Sequence, residues 1–144
     1  MAVSHILGVK GRNVFTVRPT DTVEAIAKIL GEKRIGAVVV TDESGHIAGI
    51  VSERDVVRQI AAEGAGVLKK PASSIMTSNV HSCQEGDSEQ DLMTLMTARR
   101  IRHLPVVKDG KLNGMISIGD VVKFRIETIE REAEDMKAYI AGAA

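Results

Sequence analysis

Two serine–aspartate pairs offer the clearest potential for chemistry in this 144-residue sequence. Ser52 precedes Asp55 by three residues, and Ser117 precedes Asp120 by the same interval. In each case an apolar run typical of a strand ends at the serine, and a helix is predicted to begin there. Free backbone N–H groups and the positive end of a helix dipole favour phosphate at such a junction. An aspartate in the first helical turn can accept hydrogen bonds from both hydroxyls of a ribose.

The same spacing also has a purely structural explanation. A serine followed three residues later by an acidic residue resembles a capping box, which stabilises a helix start by about 0.5–2 kcal/mol without any ligand. For one copy alone this explanation is the stronger one. Two copies, each following a glycine and an apolar run (Gly49 and Gly114), favour a site for a sugar phosphate.

The two pairs occupy equivalent places in an internal repeat. Residues 14–58 align with residues 80–123, and identical residues concentrate at predicted turns, caps and strand-to-helix junctions. Each copy predicts a β-α-β-β-α unit, and neither unit alone encloses much core. The predicted elements are strands at 14–17 and 80–83, helices capped by Asp21 with Glu24 and by Asp87 with Gln90, hairpins at 37–51 and 104–116, and second helices that begin at Ser52 and Ser117.

The repeat predicts an α/β (α+β) fold with a C-terminal amphipathic helix. Apolar residues after the second repeat recur in steps of four and three, at Val122, Ile126, Ile129, Ala133, Met136 and Ile140. This helix packs either on its own domain or against a second subunit. The predicted segments are an N-terminal segment 1–13, a first repeat 14–63, a connector 64–79, a second repeat 80–125, and a C-terminal helix and tail 126–144.

Composition narrows the range of functions. The chain has 19 basic and 19 acidic residues and only 2% aromatic residues, which disfavours nucleic-acid binding. Cys83 is the only cysteine, so it forms no internal disulfide and is expected to be a small buried apolar residue. The histidines share no metal-ligand spacing, so no metal site is expected. No signal peptide and no apolar run of about 18 residues is evident, which predicts a cytoplasmic protein away from the membrane.

Several strings resemble the CBS (cystathionine-β-synthase-type) domain family, in particular its small stand-alone bacterial members. The strings lie at 35–40, 52–55, 71–77, 102–106 and 117–122, and the resemblance covers roughly residues 3–125. It implies two CBS repeats packed through their sheets about a pseudo-twofold axis. It also implies clefts between the repeats that hold an adenosyl ligand.

The resemblance assigns roles to individual residues. It implies that Asp55 and Asp120 hold ribose and that Ser52 and Ser117 approach phosphate. Arg54 adds a guanidinium group for phosphate in the first repeat, where the second repeat has Gly119, so we expect the two sites to differ in affinity. Arg102 and His103 are further phosphate neighbours. The adenine slots are expected to be lined by Thr16, Ser82 and Ile50, and by the backbone of Gly36, Ala37, Val38, His103, Leu104 and Pro105.

The leading hypothesis is a regulatory adenine-nucleotide sensor that needs no other cofactor. Its ligand would be AMP, ADP, ATP or NAD, although the family also contains members that bind S-adenosylmethionine. We expect a homodimer that signals to an unidentified protein partner. One alternative is a ligand-free adaptor in which the serine–aspartate pairs are only caps. An enzyme that acts on nucleotides has less support, because the sequence lacks a Gly-rich phosphate loop and a readable nucleophile–base pair.

Overall fold

The computed structural model describes residues 2–143; Met1 and Ala144, the ends of the predicted N-terminal segment and C-terminal tail, lie outside the described residues. The fold is mixed α/β, as predicted; the first repeat has the predicted β-α-β-β-α order, and the second has the order α-β-β-α. The helices are α1 (Ala2–Lys10), α2 (Val23–Lys33), α3 (Glu53–Glu63), α4 (Glu89–Arg99) and α5 (Ile118–Ala143). The strands are β1 (Thr16–Val17), β2 (Ala37–Thr41), β3 (Ile47–Ser52), β4 (His103–Lys108) and β5 (Lys111–Ser117), and short 3-10 helices span Ala65–Lys69 and Ala72–Ser74.

The two repeats form separate small sheets built around the predicted hairpins. In the first repeat, β2 pairs antiparallel with β3 and parallel with β1. In the second repeat, β4 pairs antiparallel with β5. Both hairpins end at the serines of the two junctions, where Ala37 pairs with Ser52 and His103 with Ser117. The sheets therefore place the two junctions at equivalent positions.

The strand predicted at residues 80–83 is reduced to a single bridge between Cys83 and Val106. The counterpart strand in the first repeat is held partly by a hydrogen bond from the Val39 N–H to the Phe15 carbonyl. Val39 corresponds to Pro105 in the second repeat, and proline has no N–H to donate. The parallel ladder is shorter in the second repeat because this bond cannot form there.

The first helix of each repeat is capped one residue later than predicted. Thr22 caps α2 and accepts a hydrogen bond from the Ala25 N–H, and Ser88 caps α4 in a capping box with Asp91. The predicted caps, Asp21 and Asp87, instead accept hydrogen bonds at 2.8 Å from the backbone N–H of Arg18 and Gln84. These carboxylates close the turn before the helix, which leaves the following hydroxyl at the N-cap position.

The second helices begin where predicted, after Ser52 and Ser117. The helix α5 runs without interruption through 26 residues, so the second helix of the repeat and the predicted terminal helix are one element. Its first turns pack on the second repeat through Val121 and Phe124. Within residues 2–143, no helix combines the length and apolar character needed to cross a membrane.

Each repeat completes its core with a segment from outside the repeat. Val67, Ala72 and Ile75 of the connector are buried in the first core. The helix α1, which was not predicted from the sequence, buries its apolar residues Val3, Ile6 and Leu7 in the second core. The predicted buried position of Cys83 is confirmed in the same core, and burial raises the pKa of its thiol to about 12.

A glycine in each hairpin allows the outside segment to approach. A Cβ atom on Gly49 would lie 2.6 Å from the sulfur and 3.0 Å from the Cβ of Met76, and a Cβ on Gly114 would lie 2.8 Å from Leu7. The two glycines align in the repeat. The lack of a side chain at this strand position lets the connector pack closely in the first repeat and α1 in the second.

We predict that Gly49→Ala lowers the free energy of unfolding by about 1–3 kcal/mol, because the methyl group overlaps Met76 in a packed core. Gly31→Ala is the matched control, since Gly31 lies inside α2 with open space around it and alanine favours the helix by about 1 kcal/mol. Urea unfolding of both variants measures the difference. Equal stability of Gly49→Ala and the natural protein would contradict the close-approach role.

Candidate functional site

A cleft of about 580 Å³ lies between the two repeats. Its walls come from both strand-to-helix junctions, from the end of the connector and from the turn between α4 and β4. The lining residues are Gly36, Ile50, Ser52, Glu53, Arg54, Asp55, Arg58, Thr77, Asn79, Val80, His81, Arg99, Arg100, Ile101, Arg102, His103, Ser117, Ile118 and Gly119. The size is typical of a small-molecule site.

The structure brings part of the predicted site together in this cleft. The predicted residues that line it are Ser52, Arg54, Asp55, Arg102, His103, Ser117, Gly36 and Ile50. The predicted residues outside its lining are Asp120, Thr16, Ala37, Val38, Ser82, Leu104 and Pro105. The side chains of Val38 and Leu104 are fully buried in the two cores, which leaves only their backbone, the part predicted to line the adenine slots, to meet a ligand.

The first junction is held by a capping box. The Oδ2 atom of Asp55 accepts hydrogen bonds from the backbone N–H of Ser52 at 2.8 Å and from its hydroxyl at 2.9 Å. The Asp55 N–H donates in return to the Ser52 hydroxyl at 3.2 Å. The Oδ1 atom of Asp55 accepts no hydrogen bond from residues 2–143. Capping and ligand binding are therefore compatible, because the cap fixes the carboxylate and leaves one oxygen open.

The second junction has the same cap but a different neighbour. Asp120 Oδ2 accepts a hydrogen bond from the Ser117 N–H at 2.8 Å and also from the Lys10 ammonium group at 2.7 Å. Partial burial would by itself raise the pKa of Asp120, but the hydrogen bonds from Lys10 and Ser117 outweigh burial and lower it. The two predicted ribose carboxylates are thus in different states: Asp55 faces the cleft, and Asp120 is bound to a cation.

Positive charge dominates the cleft wall. Five arginines line it, at positions 54, 58, 99, 100 and 102, against two carboxylates, Glu53 and Asp55. Within residues 2–143 none of these guanidinium groups forms an ion pair, whereas Arg12 pairs with Glu85 and Arg125 with Glu89. The cleft therefore has unbalanced positive charge, which favours an anionic ligand.

Sequence reasoning did not place several of these residues in the site. Arg58 follows Arg54 by one helical turn and so lies on the same face of α3, a signal that spacing could have given. Arg99 and Arg100 reach the cleft because α4 ends at Arg100, whose backbone is left-handed with φ of 53°. The equivalent residue at the end of α2, Arg34, has φ of 54°. Thr77 and Asn79 carry no local signal, since only the path of the connector places them there.

His103 lies at the contact between the repeats. A Cβ atom on Gly36 would be only 2.9 Å from the Nε2 atom of His103, so the imidazole ring packs directly against the backbone of Gly36. Burial lowers the pKa of His103. Lys10 and Arg102 lower it further, while Glu53 and Asp120 act in the opposite direction. The ring is therefore favoured as the neutral form, which suits close packing between the repeats.

Proteins of known sequence and structure resemble this chain over most of its length. A family model described as "CBS domain" matches residues 4–62 and 72–127. The CBS domain-containing protein CBSX3, mitochondrial, of Arabidopsis thaliana is 37% identical over 85% of this chain, which spans 61% of that relative's length.

Solved structures agree with this similarity. The CBS-domain containing protein ATU1752 from Agrobacterium tumefaciens is 47% identical with a TM-score of 0.83, covering 85% of this chain and 92% of that protein. The CBS domain protein PAE2072 from Pyrobaculum aerophilum, whose structure is a complex with AMP, is 30% identical with a TM-score of 0.74, covering 83% of this chain and 89% of that protein.

We predict that His103 makes the stability of the protein depend on pH. Because the pKa of His103 is lowered in the folded state, only the unfolded chain binds the extra proton as pH falls below the ordinary value of 6.5. Stability is therefore complete above about pH 6.5 and is lost as pH falls through the folded-state pKa, by up to about 1.4 kcal/mol per pH unit.

Urea unfolding between about pH 7.5 and pH 5 measures this slope. His103→Gln should flatten it, and the exposed His46 provides the control substitution His46→Gln, which should leave it unchanged. An equal slope in the natural protein and in His103→Gln would show that another group is responsible.

Proposed function

The chain belongs to the CBS domain family, and we propose that it is a regulatory module that binds an adenine nucleotide in the cleft between its repeats. The observation that carries this proposal is the convergence in one cleft of the Asp55 junction with five arginines that form no ion pair with any residue between positions 2 and 143. A carboxylate suits ribose hydroxyls and guanidinium groups suit phosphate, so the cleft combines both parts of a nucleotide. The AMP complex of a 30% identical relative supports the same ligand class.

The lining suggests how the parts of the nucleotide divide between the repeats. The open Oδ1 atom of Asp55 would accept a ribose hydroxyl, while the apolar residues Ile50, Val80 and Ile101 provide surface for the base. At the start of α3 the backbone N–H groups of Ser52 and Glu53 already donate to the Asp55 carboxylate and to the Gly36 carbonyl, so the guanidinium group of Arg54 would meet the phosphate instead. The arginines from the end of α4 and from Arg102 would then approach the phosphate from the second repeat.

The charge of the cleft favours phosphate-bearing ligands over S-adenosylmethionine. Five arginines against two carboxylates leave an excess of positive charge, which matches the charge of a nucleoside di- or triphosphate. S-adenosylmethionine carries a sulfonium cation, which the same arginines would repel. We therefore propose ATP and ADP as the preferred ligands, followed by AMP and NAD.

Regulation would follow from the position of the ligand. A nucleotide bound by Asp55 from one repeat and by Arg99 and Arg102 from the other would favour one relative setting of the repeats, provided that its affinity differs between settings. The Ser52 hydroxyl is hydrogen-bonded to Asp55 in the cap, which fits a binding role rather than nucleophilic attack. We propose that a protein partner responds to this change and that the module itself is not an enzyme.

A second copy of the chain is the proposed occupant of the exposed face of α5. The apolar residues of this face are Val122, Ile126, Ile129, Met136 and Ile140, with exposed fractions between 48% and 61%. They recur in steps of three, four and seven, so they form one stripe along a helix about 39 Å long. A two-helix contact between identical stripes would bury them, as in a coiled coil. The same stripe favours an adaptor role as the second candidate function.

We predict that ATP at about 100 times its dissociation constant raises the melting temperature by about 5–10 °C. ADP should behave similarly, AMP should give a smaller shift, and S-adenosylmethionine none. Asp55→Ala should abolish the ATP shift because the ribose loses its acceptor. Differential scanning fluorimetry provides the measurement.

The control must separate ligand binding from helix capping. Asp91 forms the equivalent capping box with Ser88 at the start of α4 and does not line the cleft. Asp91→Ala should therefore lower the melting temperature of the free protein but keep the full ATP shift. If Asp55→Ala also keeps the full shift, Asp55 is only a cap and the adaptor role replaces the sensor.

We predict that the double substitution Ile126→Glu with Ile129→Glu converts a dimer into a monomer, because four charges would then meet in the apolar contact. Light scattering coupled to gel filtration measures the mass. Arg131→Glu changes charge on the opposite face of α5 and should leave the dimer intact. A natural protein that is monomeric at all concentrations tested would contradict the proposed contact.

A further inference from the structure

The end of α1 reaches the second strand-to-helix junction. The Lys10 ammonium group lies 2.7 Å from Asp120 Oδ2 and 2.9 Å from the carbonyl oxygen of Met115. The two side chains of the ion pair are 36% and 23% exposed, so solvent reaches the pair only in part. A cation therefore sits against the carboxylate that corresponds to Asp55 in the first repeat.

The position of Lys10 is fixed by the packing of α1. Val3, Ile6 and Leu7 are buried in the second core, and Lys10 is the last residue of the helix. The Gly11 N–H closes the helix by donating to the Leu7 carbonyl at 2.8 Å. A lysine in the last turn also lies at the negative end of the helix dipole. The ammonium group is thus held near Asp120 by an anchored helix rather than by a free surface loop.

In the first repeat the equivalent strand carbonyl accepts its hydrogen bond from a different group. Met115 corresponds to Ile50 in the repeat, and the Ile50 carbonyl accepts a hydrogen bond from the backbone N–H of Thr77 at 3.0 Å. In the first repeat a backbone amide satisfies this strand carbonyl and leaves the carboxylate of Asp55 facing the cleft. In the second repeat the Lys10 side chain satisfies it and bridges to Asp120.

The lining of the cleft reflects this difference. Asp55 and Arg54 line it, whereas Asp120 and Lys10 do not, although the neighbouring residues Ser117 and Gly119 do. Glycine also replaces the arginine that follows the serine by two residues in the first repeat. The second junction therefore lacks one phosphate donor and has its carboxylate already neutralised.

We propose that Lys10 blocks the second ribose position, so that each chain binds one nucleotide, at Asp55, and binds a second only after Lys10 leaves Asp120. This inference rests on the proposed function of the cleft. The ammonium group lies 2.7 Å from Oδ2, which also accepts the Ser117 N–H, so it neutralises the carboxylate and stands beside the Oδ1 atom that a ribose hydroxyl would use. Because the lysine belongs to α1, a ligand at Asp120 would also loosen the end of that helix.

The test compares ATP binding to the natural protein and to Lys10→Met, which keeps most of the side-chain length and removes the charge. Equilibrium dialysis with ATP should give one nucleotide per chain for the natural protein and two for Lys10→Met. A hydrogen bond to a charged group corresponds to about 10- to 100-fold in affinity, so the second site should tighten by at least about tenfold. Lys10→Arg keeps the cation and should keep one nucleotide per chain.

Two further variants assign the sites. Asp55→Ala with Lys10→Met should bind one nucleotide, now at Asp120, and Lys10→Met with Asp120→Ala should bind one, at Asp55. Melting curves confirm that each variant is folded, and Lys10→Gln replaces Lys10→Met if the latter is not.

The outcomes separate this inference from the proposed function. One nucleotide per chain in both the natural protein and Lys10→Met, or two in both, would overturn the role of Lys10 and leave the nucleotide site intact. Weaker ATP binding by Lys10→Met would identify Lys10 as a phosphate ligand and also overturn it. Absence of ATP binding by every variant would overturn both proposals.

Discussion

The site depends on the cover that the core of each repeat receives from a segment outside that repeat. Each hairpin and its helices leave an apolar face that the repeat cannot cover alone, and the cover comes from the connector in the first core and from α1 in the second. The packing of the connector brings its residues Thr77 and Asn79 to the Asp55 junction. The packing of α1 brings Lys10 to the Asp120 junction. Core burial, the largest favourable term in folding, therefore also positions the polar groups.

The serine–aspartate junction shows that a stabilising cap and a binding group need not compete. Asp55 donates and accepts through its backbone and Oδ2 atom within the cap, which orients the carboxylate in the first turn of α3. The remaining oxygen is then available without further ordering of the side chain. A preordered acceptor loses little conformational entropy when a ligand arrives. For this reason the capping explanation and the ribose explanation can hold for the same residue.

The two repeats have similar backbones but different electrostatics. The first junction faces a wall of arginines with few carboxylates, while the second junction has an ion pair that lies outside that wall. His103 connects the two environments, since its ring rests on Gly36 and its protonation responds to Glu53 on one side and to Lys10 with Asp120 on the other. A few differences in charged residues thus give the two junctions different electrostatic environments on similar backbones.

The sequence by itself determined the repeat, the β-α-β-β-α order, the two hairpins and the helix starts after Ser52 and Ser117. These features follow from periodicity, turn residues and caps, which are properties of a few neighbouring residues. Local patterns were wrong by one residue for the caps at Asp21 and Asp87. They also overestimated the length of the strand at 80–83, because Pro105 lacks the N–H that would extend the ladder.

Only the tertiary structure decided the role of α1, the arginines that share the cleft, and the difference between Asp55 and Asp120. The Lys10–Asp120 contact joins residues 110 positions apart, and no local pattern relates them. Such a contact exists because burying Val3, Ile6 and Leu7 in the second core fixes the direction of α1. The identity of the polar neighbours follows from how the apolar faces pack, and that packing is a property of the whole chain.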